Sequence, residues 1–328
     1  MEDKTKNQVG SVLAAFASLF FIAVLLSCSS RAVSEATEVP EALAPVQDDN
    51  GKWGFIDKTG KLVIPCTWKS AGGFSEGLAH VEDDNGKWGF IDKTGEVMIP
   101  CTWKWAWNFS EGLAGVVDDN GKWGFTDKTG KVVIPCKWEM ADCFSEGLAP
   151  VRDNNGKCGF IDKTGEIVIP CKWWDAGTFS EGLARVADDN WKEGFIDKTG
   201  EIVIPCEWME ANDFSEGLAC VNDNNGKWGF IDKTGEVVIP CKWKSAWRFS
   251  DGLAGVVDDN GKLGFIDKTG EVVIPCKWEY AERFSEGLAC VEDDNGKDGY
   301  IDKTGEVVIP CKWRLAGDFS EGLASVWN

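Results

Sequence analysis

The sequence predicts an all-β chain of eight tandem 35-residue units, each a three-stranded antiparallel meander, stacked one on the next. Three observations predict it. The string GKWGFIDKTGKLVIPCTWKSAGGFSEGLAHVEDDN, starting at Gly51, recurs from 86, 121, 156, 191, 226, 261 and 296 without insertion, and a fixed period of this length marks a repeat architecture. Short apolar runs alternate with Asp-Asn-Gly and Asp-Lys-Thr-Gly, the punctuation of strands and turns. The segment between meanders carries no helical spacing of apolar residues.

The first strand of a meander is Leu78-Ala79-His80-Val81, which runs into Asp84-Asn85-Gly86. That tripeptide predicts a tight hairpin, because Asn and Gly tolerate positive φ. Trp88-Gly89-Phe90-Ile91 is the second strand, closed by Asp92-Lys93-Thr94-Gly95, where the Asp side chain accepts backbone N–H groups and Gly supplies the left-handed position. Val97-Met98-Ile99 is the third strand, ended by Pro100, which cannot donate to a ladder. The connector from Trp103 to Phe109, followed by Ser110-Glu111-Gly112, reads as an ordered bend whose Trp and Phe plug the core. Third strands such as Val132-Val133-Ile134 and Ile202-Val203-Ile204 are apolar on both faces, which asks for cover on both sides. A lone meander cannot supply that cover, so one unit should be unstable and the array stable.

Two assemblies satisfy this pattern, an open superhelical stack and a closed ring of eight blades, a β-propeller. A surplus copy of the Leu-Ala-x-Val strand, Leu43-Ala44-Pro45-Val46, precedes the first unit and favours the open stack.

The amino terminus differs from the array. Lys4 and Lys6 precede an apolar run from Val9 to Leu26, then Ser27-Cys28. This reads as a secretory signal over 1–27. Leu25-Leu26-Ser27-Cys28 resembles a bacterial lipobox, with Cys28 as the lipidated residue, residues 28–42 as a flexible tether, and 43–328 as the array. An uncleaved anchor and an ordinary cleaved signal are the rivals. The expected location is the bacterial cell envelope, outside the cytoplasm and membrane-anchored at Cys28. With 54 Asp and Glu against 34 Lys and Arg the net charge is −20, which repels phosphate backbones and excludes nucleic acid as a partner.

Eight copies in one chain can be compared with each other. Turns and core positions stay fixed, including Asp57-Lys58-Thr59-Gly60, Ile64-Pro65-Cys66, Trp68, Phe74 and Gly77-Leu78-Ala79. The drifting set sits in the connector and at the column of His80, whose equivalents include Gly115, Arg185 and Cys220. The drifting positions hold Trp105, Trp107, Trp174, Trp247, Arg248, Tyr280 and Arg283, residue types that dominate binding hot spots, and these seven are the candidate recognition surface. Purposeless drift at solvent-facing positions is the competing explanation.

The strings Lys-Trp-Gly-Phe-Ile-Asp-Lys-Thr-Gly and Phe-Ser-Glu-Gly-Leu-Ala resemble those of the WG-repeat (KWG-repeat) family of bacterial proteins over residues 43–328. The resemblance implies a β-rich repeat used for binding, and brings no catalytic residues with it. The chain departs from the motif where Trp gives way to Cys158, Glu193, Leu263 and Asp298, so the Trp68 column, filled in all eight units, is the better structural tryptophan.

Chemistry offers little support for an enzyme. His80 is the sole histidine and sits in a drifting column, so serine and cysteine triads lack a base. The cysteines from Cys66 to Cys311 recur once per unit rather than at ligand spacing, and no metal or cofactor is expected. They read as small buried residues, with Cys143 and Cys158 left as a possible local pair. Asp-Asp-Asn-Gly runs read as hairpins rather than calcium loops, since no bidentate Glu follows. The sequence therefore points to a non-catalytic scaffold that binds a protein or glycan, or, alternatively, to a structural surface spacer.

Overall fold

The computed structural model describes residues 42–319 together with 322, 324, 326 and 327. Residues 1–41, with Cys28 and nearly all of the tether, lie outside the described residues. Every element among the described residues is a strand or a turn. Seven four-stranded antiparallel sheets span 70–103, 105–138, 140–173, 175–208, 210–243, 245–278 and 280–313. A three-stranded sheet precedes them, and the pair Leu315–Ala316 with Val326–Trp327 follows.

Each sheet has one more strand than the meander predicted. In the second sheet the order is Ser70–Ala71, Leu78–Glu82, Trp88–Asp92, Val97–Trp103. The connector is therefore itself a short strand, paired through Ser70↔Glu82 and Ala71↔Val81. Nor does Pro100 end the third strand, which continues to Trp103. It can do so because this strand is the free edge of the sheet, where a missing N–H leaves no partner unserved.

The register of that edge strand slips twice: Ile91 faces Val97, Phe90 faces Ile99, and Trp88 faces Trp103. The extra residues form bulges that press the chain onto Gly89, whose added Cβ would lie 2.4 Å from Ile99 O and 2.7 Å from Cys101 N. The second letter of the Trp-Gly motif is thus fixed by backbone contact. The first is not: Leu263 and Cys158 are simply buried, while the Glu193 and Asp298 carboxylates accept from the Ala211 and Ala316 backbone N–H groups.

Both predicted turns form by the same device. Asp83 Oδ1 accepts from the backbone N–H of Asn85 and of Lys87, each at 2.9 Å, and within the turn only the glycine has positive φ, 76° at Gly86 as at its equivalent Gly51 with 77°. Asp92 Oδ1 accepts from Thr94 N, Thr94 Oγ1 and Glu96 N at 2.9, 2.7 and 2.9 Å. These bonds hold the turn carboxylates below their ordinary value of 3.8 in every unit. At Asp57 the Thr59 hydroxyl contributes most. A depressed folded pKa gives stability that is complete above the unfolded value and is lost as pH falls through the folded one. The urea midpoint should therefore drop steeply as pH is lowered below about 3.8; a midpoint unchanged from pH 5 to pH 2 would contradict this role for the turns.

A third turn, Ser-Glu-Gly, holds neighbouring sheets together. Glu76 and Gly77 both have positive φ, 51° and 90°, the backbone of a two-residue hairpin in which a glutamate is sterically disfavoured. Its carboxylate explains the choice. Gly112 of the next Ser-Glu-Gly turn donates its N–H to Glu76 Oε2 at 3.1 Å, Lys128 Nζ lies 3.1 Å from the same oxygen, and Ser75 Oγ donates to Phe109 O at 2.7 Å. The same staple recurs along the array, as in Ser215 Oγ to Phe249 O at 2.8 Å and Lys268 Nζ to Glu216 Oε2 at 3.1 Å.

The apolar core lies between sheets rather than within one. Leu183, Phe195, Ile204 and Trp208 of one sheet pack against Ala211, Phe214, Val221 and Ile231 of the next, with Phe195 and Phe214 ring centroids 4.8 Å apart. The Trp68 column is structural, as its constancy suggested: Trp68 and Trp103 are half-buried and its six later members are buried. The expectation that third strands are covered on both faces does not hold. Val97 and Met98 are 46% and 47% exposed, and only Ile99 is buried, because the bulge turns two successive side chains outward from the free edge. Cysteines of the column are half-buried and free, and six of them set Sγ against a valine carbonyl, as in Cys101 to Val81 O at 3.9 Å. Cys143 and Cys158 do not pair, since Cys158 is buried with Sγ directed at Trp174 O, 3.8 Å away.

Among the described residues, hydrogen bonds and ion pairs between sheets join each sheet only to its sequence neighbours. None among the described residues links the first unit to the eighth. The array is an open stack.

Candidate functional site

Successive connectors lie side by side along one face of the stack, and the two drifting columns meet there. In five units the connector position one residue past the fixed alanine is hydrogen-bonded across the sheet to a member of the His80 column, as in Gly72 N–H to His80 O at 3.0 Å, Asn212 N–H to Cys220 O at 2.9 Å and Trp247 N–H to Gly255 O at 3.0 Å. The two vary together in size. An added Cβ on Gly72 would strike the His80 ring, and one on Gly255 would lie 3.1 Å from the Trp247 ring. Trp107 likewise stands against Gly115. Drift in these columns is thus compensated packing, which preserves a formed surface.

Four consecutive connectors, from 212 to 318, enclose a concave site of about 330 Å³. It is lined by Asn212, Asp213, Trp247, Arg248, Ala281, Glu282, Arg283 and Asp318. Three of the seven residues expected from sequence, Trp247, Arg248 and Arg283, are therefore brought together, and Tyr280 joins them at one remove through a 2.5 Å hydrogen bond from Oη to Glu282 Oε1. Trp247 presents 39% of its surface. Burial pushes the Asp213 carboxyl up, against the opposing pull of Arg185 and Arg248. Asp318 is raised by the same cause, although Arg283 Nε stands 3.5 Å from its Oδ2. Asp318 Oδ1 is buried and meets no hydrogen-bond donor among the described residues. Arg248 forms no ion pair among them either.

The remaining candidates fall elsewhere on the stack. Trp105 and Trp107 are two of the five members of an aromatic ladder, His80–Trp88–Trp105–Trp107–Trp123, with centroid steps of 5.2, 4.7, 5.8 and 6.4 Å. His80 Nδ1 lies 2.8 Å from Asn108 Oδ1, and burial lowers its pKa. Trp174 belongs to neither group. It packs at 4.3 Å on Trp191, with Lys157 Nζ 5.6 Å from its ring.

Sequence reasoning passed over Asn212, Asp213, Glu282 and Asp318, because isolated acids in an acidic chain look like solvated surface. The signal was positional: they occupy the same two connector columns as Trp247 and Arg248. Trp191 was also missed, although it replaces a glycine present in the other seven units, and it holds that glycine's left-handed backbone at φ 63° with 63% of its surface exposed. Left-handed φ costs a bulky residue about 1–2 kcal/mol, so its retention beside Trp174 marks a second exposed aromatic pair.

The chain matches the family model described as WG containing repeat at residues 53–88, 88–123, 123–158, 159–190, 194–228, 228–262, 264–297 and 299–326. No curated protein matches it. Among solved structures it is similar to the computationally designed Ika8 protein, at 12% identity over 78% of this chain and 94% of that chain with a TM-score of 0.49. Similarity to BamB from Moraxella catarrhalis is 12% identity over 78% and 94%, TM-score 0.45. The WD40 beta propeller domain of Doa1 gives 11% over 69% and 89%, TM-score 0.36.

Proposed function

The chain belongs to the WG-containing repeat family, and from that premise we propose that it is a non-catalytic recognition scaffold whose connector face holds a protein or a glycan. The observation that carries the reading is the convergence of Trp247 and Arg248 of one unit with Arg283 of the next on one concave site. An exposed indole beside guanidinium forks is the composition of a binding centre, and concave placement lets a ligand be desolvated from several sides. Nothing in the site is arranged for nucleophilic catalysis. The sole histidine is half-buried in another sheet, with one ring nitrogen already held by Asn108. Attachment to the outer face of a bacterial membrane through Cys28 belongs to the same proposal, and its support is the lipobox-like sequence.

A rigid surface spacer is the second reading, favoured by the staples that repeat at junction after junction. A binding screen against cell-surface glycans and proteins separates the two, run with the array from Glu41 to Asn328 and with its Trp247→Ala/Arg248→Gln/Arg283→Gln variant. Binding that the folded variant loses supports recognition. Equal binding by both, or by neither, leaves the spacer.

A further inference from the structure

Resting on that reading, we infer that the cavity around Trp247 takes a carboxylated pyranose, a sugar of the uronic acid class. The inference follows from what its lining leaves unsatisfied. Arg248 is an exposed planar fork with five donors that makes no ion-pair contact among the described residues, although its charge is felt by Asp213, so its donors are open to a ligand acceptor. Asp318 Oδ1 is a buried acceptor without a donor, and Asp213, half-buried at the mouth of the same cavity, accepts no hydrogen bond among the described residues. Buried polar groups are nearly always satisfied, and these call for ligand hydroxyls that donate. Trp247 offers an exposed ring face held rigid against Gly255, which calls for a flat apolar surface such as the C–H face of a sugar ring.

One ligand class meets all three demands. A neutral sugar stacks and donates but leaves the Arg248 fork unpaired. A phosphate ester brings up to two negative charges against the carboxylates of Asp213, Glu282 and Asp318, where a carboxylate brings one. A simple carboxylate has no ring face and no hydroxyl donors. The site's volume, about 330 Å³, is at the lower end of small-molecule sites, which span about 300–1,000 Å³.

The test is calorimetric titration of the full chain in detergent with D-glucuronate, D-glucose and acetate. Glucuronate is expected to bind at least about tenfold more tightly than glucose or acetate. Arg248→Gln should weaken glucuronate by about tenfold or more and leave glucose unchanged, while Trp247→Ala weakens both sugars, each with an unaltered urea midpoint. Equal binding of glucuronate and glucose would overturn the inference, as would a glucuronate affinity indifferent to Arg248→Gln. If glucuronate shows no heat up to roughly 10 mM while the binding screen yields a ligand lost by the triple variant, the inference fails and the recognition scaffold stands. Absence of binding in both experiments removes both.

Discussion

Replacing Gly229 by alanine should destabilise the array by about 3 kcal/mol, at the top of the range for overpacking, or more. The added Cβ would lie 2.5 Å from Ile239 O, 2.7 Å from Cys241 N and 2.8 Å from Cys241 Sγ. Two of those atoms are backbone in a doubly bulged strand, which cannot rotate away as a side chain would. The sheet must either lose its edge strand or move it, and the edge strand carries Ile239 and Trp243 into the core shared with the next sheet. Trp228→Leu, one residue earlier, should cost far less, because Leu263 already occupies the equivalent position, buried in the packed core. Urea unfolding of the two variants gives the comparison. A Gly229→Ala midpoint equal to that of the parent would mean the bulge does not rest on the glycine.

Truncating Phe195 to alanine should cost about 3–5 kcal/mol, the range for emptying a buried aromatic site. Phe195 is fully buried and forms an edge-on pair with Phe214 of the following sheet, ring planes at 62°. Its loss therefore weakens a junction, not merely one sheet. In a stack where each unit touches only its neighbours, stability is a sum of unit and junction contributions. A weakened central junction is expected to split the unfolding transition into two, one for each side of the stack. Loss below about 1 kcal/mol, or a single transition shifted as a whole, would show that the junctions do not couple the array in this way.

The array was legible because its period is fixed and its punctuation strong. Asp-Lys-Thr-Gly and the Asn-Gly turn place two of the three hairpins of a unit, and a column of constant tryptophans marks the packed interior. The edge strand was misread because apolar composition says nothing about bulges: Val97 and Met98 look like interior residues, and only the register slip between Ile91 and Phe90 turns them out. Pro100 misled for a related reason, since an edge position excuses the missing N–H. Glu76 was read as connector, whereas its clasp on Gly112 is a contact between units that no single copy can reveal.

The candidate site was half legible. Trp247, Arg248 and Arg283 stood out by residue type, but the carboxylates of Asp213 and Asp318 that complete the cavity come from other units. Trp105 and Trp107, read as part of one surface with the other five, meet each other in a T-shaped contact at 5.8 Å. Trp174 fell apart from them because it stands two residues before the fixed alanine, at the position Lys104 holds in their unit, where it meets Trp191 instead. Size coupling between the connector and the His80 column, as in Trp247 with Gly255 and Gly72 with His80, was present in the sequence but required the cross-sheet register to be seen.

The most direct measurement is hydroxyl-radical footprinting of the chain with a ligand taken from the binding screen, read residue by residue by mass spectrometry. A connector-face scaffold predicts that Trp247 is protected on binding while Val237 and Val238, exposed on the opposite edge strand of the preceding sheet, react as before. Protection confined to the exposed valine pairs, with Trp247 as reactive as in the free chain, would contradict it and move recognition to the outer edge of the stack.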